Sequence, residues 1–356
     1  MGSVGTEPAV EPFESIYEPP EIITEKIDGT ACLVAGVSPE MQNIIKKLAS
    51  RIASSDVTVL LLGESGSGKE VLARFIHSRS KRQNKQFFAI NCAALPENLI
   101  ETELFGCEQG AYTDATKKRI GIIEAVNEGT LFLDEIEAAS PSLQRKLLRV
   151  IESKEIQRVG GVTTKKVDVR FIAASNINLK NAVNEKNFRE DLFFRLTYSI
   201  SIPPLRYRVE DIPFLAYHIL FNKTRSLNNS EPWRISNGAM LSLQNSNWRG
   251  NVRELDNVIT QAVFNHFDEN NILLSADVDP FLDKEAVKQK PALAKNTGVS
   301  KTLKEIGDSA KEEAEKSLVR KTLEETNWNR TEASRKLRIS YKTLRNKLQT
   351  WGWRET

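Results

Sequence analysis

The chain has 356 residues, of which 40% are hydrophobic, with three cysteines and a formal net charge of +3. That length accommodates two or three domains with real cores, while an odd cysteine count without metal-like spacing among Cys32, Cys92 and Cys107 excludes a disulfide framework and a zinc site. No stretch approaches the roughly 18 apolar residues of a membrane span, and the opening MGSVGTEPAVEPF lacks an apolar signal core. A cytoplasmic protein with no membrane partner is therefore expected.

Residues 1–31 are rich in Pro and Glu and lack periodicity, which predicts a disordered lead or linker. From 32 to 204, apolar and β-branched runs alternate with helical patterns: VTVLLL at 57–62, FFAIN at 87–91, TLFLD at 130–134, VDVRFIAA at 167–174 and YSISI at 198–202. Strands this apolar, separated by helices, predict an α/β class with a parallel five-stranded sheet covered on both faces. One helix is marked by Ser140 as N-cap and Pro141 at its first position, with Leu143, Leu147, Leu148 and Ile151 as its apolar stripe. After Pro203 the strand signals stop, and helical patterns at 211–226, 236–245 and 251–267 predict a small helical lid over 205–284. Residues 285–301 read as a linker, and 302–356 as a separate small domain.

Charge is uneven along the chain. Residues 327–356 hold eight Lys or Arg against Glu332 and Glu355, a basic end that suits a nucleic-acid partner. This end reads as three helices, with Asn329 and Glu332 forming a capping box, Ser340 capping the last helix, and Ala333, Leu337, Ile339, Leu344 and Leu348 supplying a core. Tyr341, Lys342, Thr343, Arg345, Asn346 and Lys347 then fall near or on the outer face of the last helix, a composition that suits insertion into a DNA major groove.

The chemistry concentrates earlier. GESGSGKE, comprising Gly63, Glu64, Ser65, Gly66, Ser67, Gly68, Lys69 and Glu70, lies between a predicted strand and a predicted helix. In that context glycines let successive amides turn toward one anion, the helix N-terminus adds its positive end, and Lys69 neutralises phosphate charge. Glu70 occupies the position where Ser or Thr would bind Mg²⁺ in the general motif, so the metal must draw more on Asp134 at the end of TLFLDE. Glu135 beside it can polarise a water in line with the terminal phosphate. ATP and Mg²⁺ are the expected cofactors.

These motifs resemble the AAA+ ATPase module of bacterial enhancer-binding proteins, the activators of sigma-54 RNA polymerase, from about Leu33 to Leu282 and again at the C-terminus. The resemblance implies that GESGSGKE is the Walker A and TLFLDE the Walker B. It implies that Asn91 relays nucleotide state to Glu135, that Asn176 is the sensor I residue and that Arg253 is the sensor II arginine of the lid. It further implies that Arg189 and Arg195 in NFREDLFFRL are arginine fingers reaching a neighbour's ATP, so that the active form is a homo-oligomeric ring, by resemblance a hexamer. The basic end resembles the Fis-type helix-turn-helix with which the family binds enhancer DNA. GAYTDA (Gly110, Ala111, Tyr112, Thr113, Asp114 and Ala115) resembles the GAFTGA loop that the family raises toward sigma-54, with Tyr112 keeping the aromatic ring and Asp114 replacing a glycine.

Three readings compete. The first is an ATP-hydrolysing, DNA-binding activator that remodels sigma-54 polymerase toward open complexes. The second is a helix-turn-helix regulator of ordinary polymerase whose ATPase serves assembly only, and the third is a replication or helicase-loading ATPase. The GAYTDA loop is foreign to the third, and its behaviour decides between the first two.

Overall fold

The computed structural model describes residues 15–20, 24–28, 31–34, 36–110, 118–225, 232–266 and 270–282, together with 319, 322, 326, 330–337 and 339–350. The chain divides into two compact units, Met1–Gln289 and Lys290–Thr356.

The first unit is organised by five parallel strands: β1 (Val59–Leu62), β2 (Phe87–Asn91), β3 (Thr130–Asp134), β4 (Arg170–Ser175) and β5 (Tyr198–Ser201), in the spatial order β5-β1-β4-β3-β2. Alternate side chains point to opposite faces of a strand, and both faces here are apolar. Leu60, Leu131, Leu133, Phe171 and Ala173 enter one core, and Val59, Leu61, Phe132, Ile172 and Ala174 enter the other. Helices α1 (Lys69–Ser78), α2 (Glu97–Phe105), α3 (Pro141–Ser153) and α4 (Glu190–Arg195) flank the sheet. The α3 start is as the sequence predicts, with Ser140 Oγ accepting the Leu143 amide at 3.2 Å, and Leu143, Leu147 and Val150 are buried.

The lid packs α5 (Ile212–Thr224), α6 (Asn237–Asn245) and α7 (Asn251–Asn265) around Trp248, Met240, Leu255 and Ile259. It is not wholly helical, because Arg234–Ile235 pairs in parallel with Ile272–Leu273. The described parts of the segment expected to be a disordered lead, residues 15–20 and 24–28, make defined contacts. Tyr17 N donates to Ile235 O at 2.9 Å, Asn237 N donates to Ser15 O at 2.7 Å, and Tyr217 Oη donates to Tyr17 O at 2.9 Å. Thr24–Asp28 pairs antiparallel with Ala31–Val34. The physical reason is that Tyr17 stacks on Tyr217 and the backbone of this strap satisfies polar groups at the lid's open strand edge.

Of the GAYTDA loop, Gly110 is described, with a φ of +82°, whereas Ala111, Tyr112, Thr113, Asp114 and Ala115 lie outside the described residues. The base of the loop is a short antiparallel pair, Gly106–Cys107 with Arg119–Ile120. A second hairpin, Glu155–Gln157 with Thr164–Lys166, lies against it. Glu108 N donates to Val159 O at 3.1 Å, and Glu108 Oε1 accepts from Arg158 Nη1 at 2.9 Å.

In the second unit α8 (Arg330–Lys336) and α9 (Tyr341–Thr350) enclose Val319, Ala333, Leu344 and Leu348, with Leu337 and Ile339 packed alongside. The Ser340 hydroxyl accepts the Thr343 amide at 3.0 Å, which is the predicted cap. Asn329 lies outside the described residues.

Candidate functional site

Parallel pairing brings the carboxyl ends of the strands to one edge, where α/β sheets bind ligands. Leu62 stands beside Ser175, and Asn91 beside Asp134. Gly63 N donates to Ser175 O at 3.1 Å, and Cys92 N donates to Asp134 O at 2.9 Å. The glycine loop, the two acids and the Asn176 strand end therefore meet at this edge.

The loop conformation requires its glycines. Gly66 has a φ of +74° and Gly68 of +100°, and a Cβ on Gly66 would meet Gly250 O at 2.3 Å. Lys69 is buried and donates Nζ to Gly63 O at 2.7 Å and to Glu64 O at 3.1 Å. Burial pushes the Lys69 ammonium below its ordinary range, while Asp134, Glu137 and Glu135 pull it up and Arg253 opposes them. Burial pushes Asp134 above the usual aspartate range, against the lowering influence of the Glu135 amide and Lys69. Ser67 Oγ is buried with no partner. A buried lysine, a half-buried carboxylate and an orphaned hydroxyl around a glycine cradle are suited to polyphosphate and a divalent cation.

Glu135 has a φ of +51° and its amide donates to Asp134 Oδ1 at 3.0 Å. Asn176 is exposed at the end of β4, and its amide donates to Glu137 Oε1 at 3.1 Å. Glu137, which the sequence reading did not single out, thus adds a third acid, whose Oε2 is buried without a partner. Its only sequence signal was a charge two residues past Glu135. Asn91 reaches the strand end beside Asp134, but its Oδ1 accepts the Ala93 amide at 2.7 Å. The nearby Cys92 thiol is pushed up to about 12 by burial and by the surrounding acids, so it is inert as a nucleophile.

The lid reaches the loop directly. Arg253 Nη1 donates to Ser65 Oγ at 3.0 Å. Glu64, expected among the nucleotide-binding residues, turns its carboxylate to Arg206. Glu70 at the start of α1 instead accepts from Arg74 at 2.8 Å. Arg189 and Arg195 stay at the surface. The first pairs with Asp191 at 2.6 Å and the second with Glu152 at 2.7 Å. In α9, Tyr341, Lys342 and Thr343 are exposed, while Leu344 and Leu348 are buried; Arg345, Asn346 and Lys347 lie on the same helix.

Family comparisons agree with this geometry. Residues 34–201 match the sigma-54 interaction domain, 206–295 the AAA+ ATPase lid domain, and 311–351 the bacterial regulatory protein Fis family. Regulatory protein AtoC of Escherichia coli K12 is 44% identical over 319 residues, covering 88% of this chain and 67% of its own length. The chain belongs to the family of sigma-54-dependent transcriptional regulators. The family also includes FlbD of Caulobacter vibrioides, 42% identical over 88% of this chain and 69% of that protein. NtrX from Brucella abortus, solved in complex with ATP, is similar with a TM-score of 0.63 and 29% identity over 90% of this chain and 70% of that one. The family's AAA+ module makes this chain a nucleotide-binding ATPase. Among the described residues no helix is long and apolar enough to cross a membrane.

Proposed function

We propose that the chain is an enhancer-bound, ring-forming ATPase that remodels sigma-54 RNA polymerase and so promotes open-complex formation. The observation that carries this reading is the meeting of Lys69, Asp134 and Glu135 at one half-buried strand edge, in a chain that also holds the GAYTDA loop and a helix-turn-helix unit. On this reading residues 32–204 and 205–284 form the ATPase, 285–301 link it to the DNA-binding domain of 302–356, and Mg²⁺ accompanies the nucleotide.

ATP, when bound, supplies the phosphoanhydride whose cleavage drives the cycle. The backbone of Gly63–Glu70 and the Lys69 ammonium would hold its phosphates, Asp134 would hold Mg²⁺, and Arg253 would approach from the lid. Glu135 takes a proton from the attacking water as general base, with its direction set by the left-handed turn after Asp134. Asn176 and Asn91 report the state of the site from the ends of the two strands that flank β3. Arg189 and Arg195 leave their exposed carboxylate partners, a small loss for surface pairs, and complete the site of an adjacent subunit in a hexameric ring. Gly110, Ala111, Tyr112, Thr113, Asp114 and Ala115 contact sigma-54, and the clip at the loop's base ties that contact to the ATPase core. Tyr341, Lys342, Thr343, Arg345, Asn346 and Lys347 meet enhancer DNA in the major groove.

The test is open-complex formation by purified protein and ATP on a sigma-54 promoter. Open complexes that require hydrolysis are expected. Rings that hydrolyse ATP yet never engage sigma-54 with a transition-state analogue bound would replace this reading with a regulator of ordinary polymerase.

A further inference from the structure

Four consecutive residues of the glycine loop are each held from the lid side. Arg206 grips Glu64 with both ends of its fork, Nη2 to Oε1 at 2.6 Å and Nη1 to Oε2 at 2.8 Å. Asn251 Nδ2 donates to Glu64 Oε2 at 3.2 Å and to Ser65 O at 3.0 Å. Val252 N donates to Gly66 O at 3.0 Å, and Arg208 Nη2 donates to Ser67 O at 2.8 Å. Asn251 is fully buried, has a φ of +55°, and accepts the Leu205 amide at 2.7 Å, so both ends of its amide are committed.

This arrangement answers two physical problems at once. A glycine-rich loop is conformationally free, and ordering it at the moment of binding costs affinity. A carboxylate next to a triphosphate also opposes binding unless a cation neutralises it. The guanidinium fork of Arg206 does both: it fixes Glu64 in a bidentate geometry and cancels its charge. Arg206 lowers Glu64 below the usual glutamate range against the opposing effect of burial.

We propose that Arg206 and Asn251 are positioning residues of the phosphate loop, which by holding Glu64 and Ser65 keep the loop pre-formed and couple nucleotide binding to the seating of the lid. The proposal rests on the reading of Gly63–Glu70 as the phosphate loop. Arg206 acts through Glu64 and not on the nucleotide, so its effect falls on affinity more than on turnover at saturation. Linkage is reciprocal: nucleotide that favours the ordered loop also favours the seated lid.

The test uses the full chain, with a fluorescent ATP analogue for affinity and phosphate release for turnover. Arg206→Ala and Glu64→Ala should each weaken binding about tenfold, the scale of one charged hydrogen-bond pair. The double variant should bind no worse than the weaker single one, because both substitutions break the same contact. Arg206→Lys, which keeps the charge and loses the fork, should fall between parent and Arg206→Ala, and Glu64→Arg with Arg206→Glu should recover part of the loss. Unchanged affinity in both single variants overturns the proposal. So does an additive loss of about a hundredfold in the double, which would mean independent contacts. Arg206→Lys and Glu64→Gln and their combination carry the same comparison if thermal melting shows the alanine variants unfolded. Lys69→Ala distinguishes the failures: if it binds nucleotide as the parent does, the phosphate-loop reading itself is wrong. If Lys69→Ala abolishes binding while the Arg206 series does nothing, only the positioning role falls.

Discussion

The Glu135 amide donates to Asp134 Oδ1 at 3.0 Å across a left-handed backbone step. One oxygen of Asp134 is thereby committed to shaping the turn that aims the Glu135 side chain, so two adjacent acids have different tasks. A non-glycine residue in that region of backbone space carries strain, which is common where a side chain must point in a particular direction.

That division predicts a split between binding and chemistry. Lys69→Ala should abolish ATP binding, whereas Glu135→Gln should bind ATP normally and lose hydrolysis by at least about a hundredfold, the usual contribution of a general base. Titration calorimetry beside phosphate release separates them. Equal loss of binding in both would remove Glu135 from the water-activating role.

Asp134 carries a pH signature. Burial raises its folded-state value above the ordinary one, so the stability tied to its protonated form is present below the ordinary aspartate value and is lost as pH rises through the raised one. Nucleotide-free Asp134→Asn should therefore melt above the parent at neutral pH, with the gap closing as pH falls through that raised value, while hydrolysis disappears. A variant that melts lower than the parent at neutral pH would contradict this.

The arginines predict complementation. Arg189→Ala or Arg195→Ala subunits, inactive alone, should regain part of their turnover when mixed with Lys69→Ala subunits, since each supplies what the other lacks at a shared interface. Mixed rings, verified by native mass spectrometry, with no recovery would place both arginines in cis or in a structural role.

The GAYTDA loop predicts uncoupling. Tyr112→Ala and Thr113→Ala should keep ATPase activity within about twofold yet lose ATP-dependent sigma-54 binding, because neither residue belongs to the phosphate-loop or acid motifs. Asp114→Gly should be tolerated. ATPase loss that matched the loss of sigma-54 binding would make the loop a structural part of the ATPase.

In the second unit Leu344 is fully buried, and Leu344→Ala should cost about 2–5 kcal/mol, enough to unfold so small a core. DNA binding, measured by footprinting at two salt concentrations, should vanish while ATPase activity persists. A variant that still footprints its site would move recognition off this unit.

What the sequence disclosed and what it hid follow a physical pattern. The β2 and β3 boundaries were legible to the residue, because each apolar run ends on a polar residue, Asn91 or Asp134, that cannot continue into the core. The Ser140 and Ser340 caps were legible because a cap is a contact over three residues. The Arg206 and Asn251 grips on Glu64 were not, since they join positions 142 and 187 residues apart. Glu64 was therefore legible as a member of the phosphate-loop motif, but the anchoring of its side chain to the lid was not. The strap at Ser15–Tyr17 was hidden for another reason: its lid contacts are largely backbone hydrogen bonds, which leave no periodicity in residue types.

That strap has a mechanical consequence. The chain comes onto the lid at Ser15–Tyr17, hydrogen-bonded to Ile235 and Asn237, and it leaves the ATPase core from Leu282, packed on the same lid. Both ends of the described part of the first unit are thus moored on one element, the same lid whose Arg206 and Asn251 hold Glu64 and Ser65.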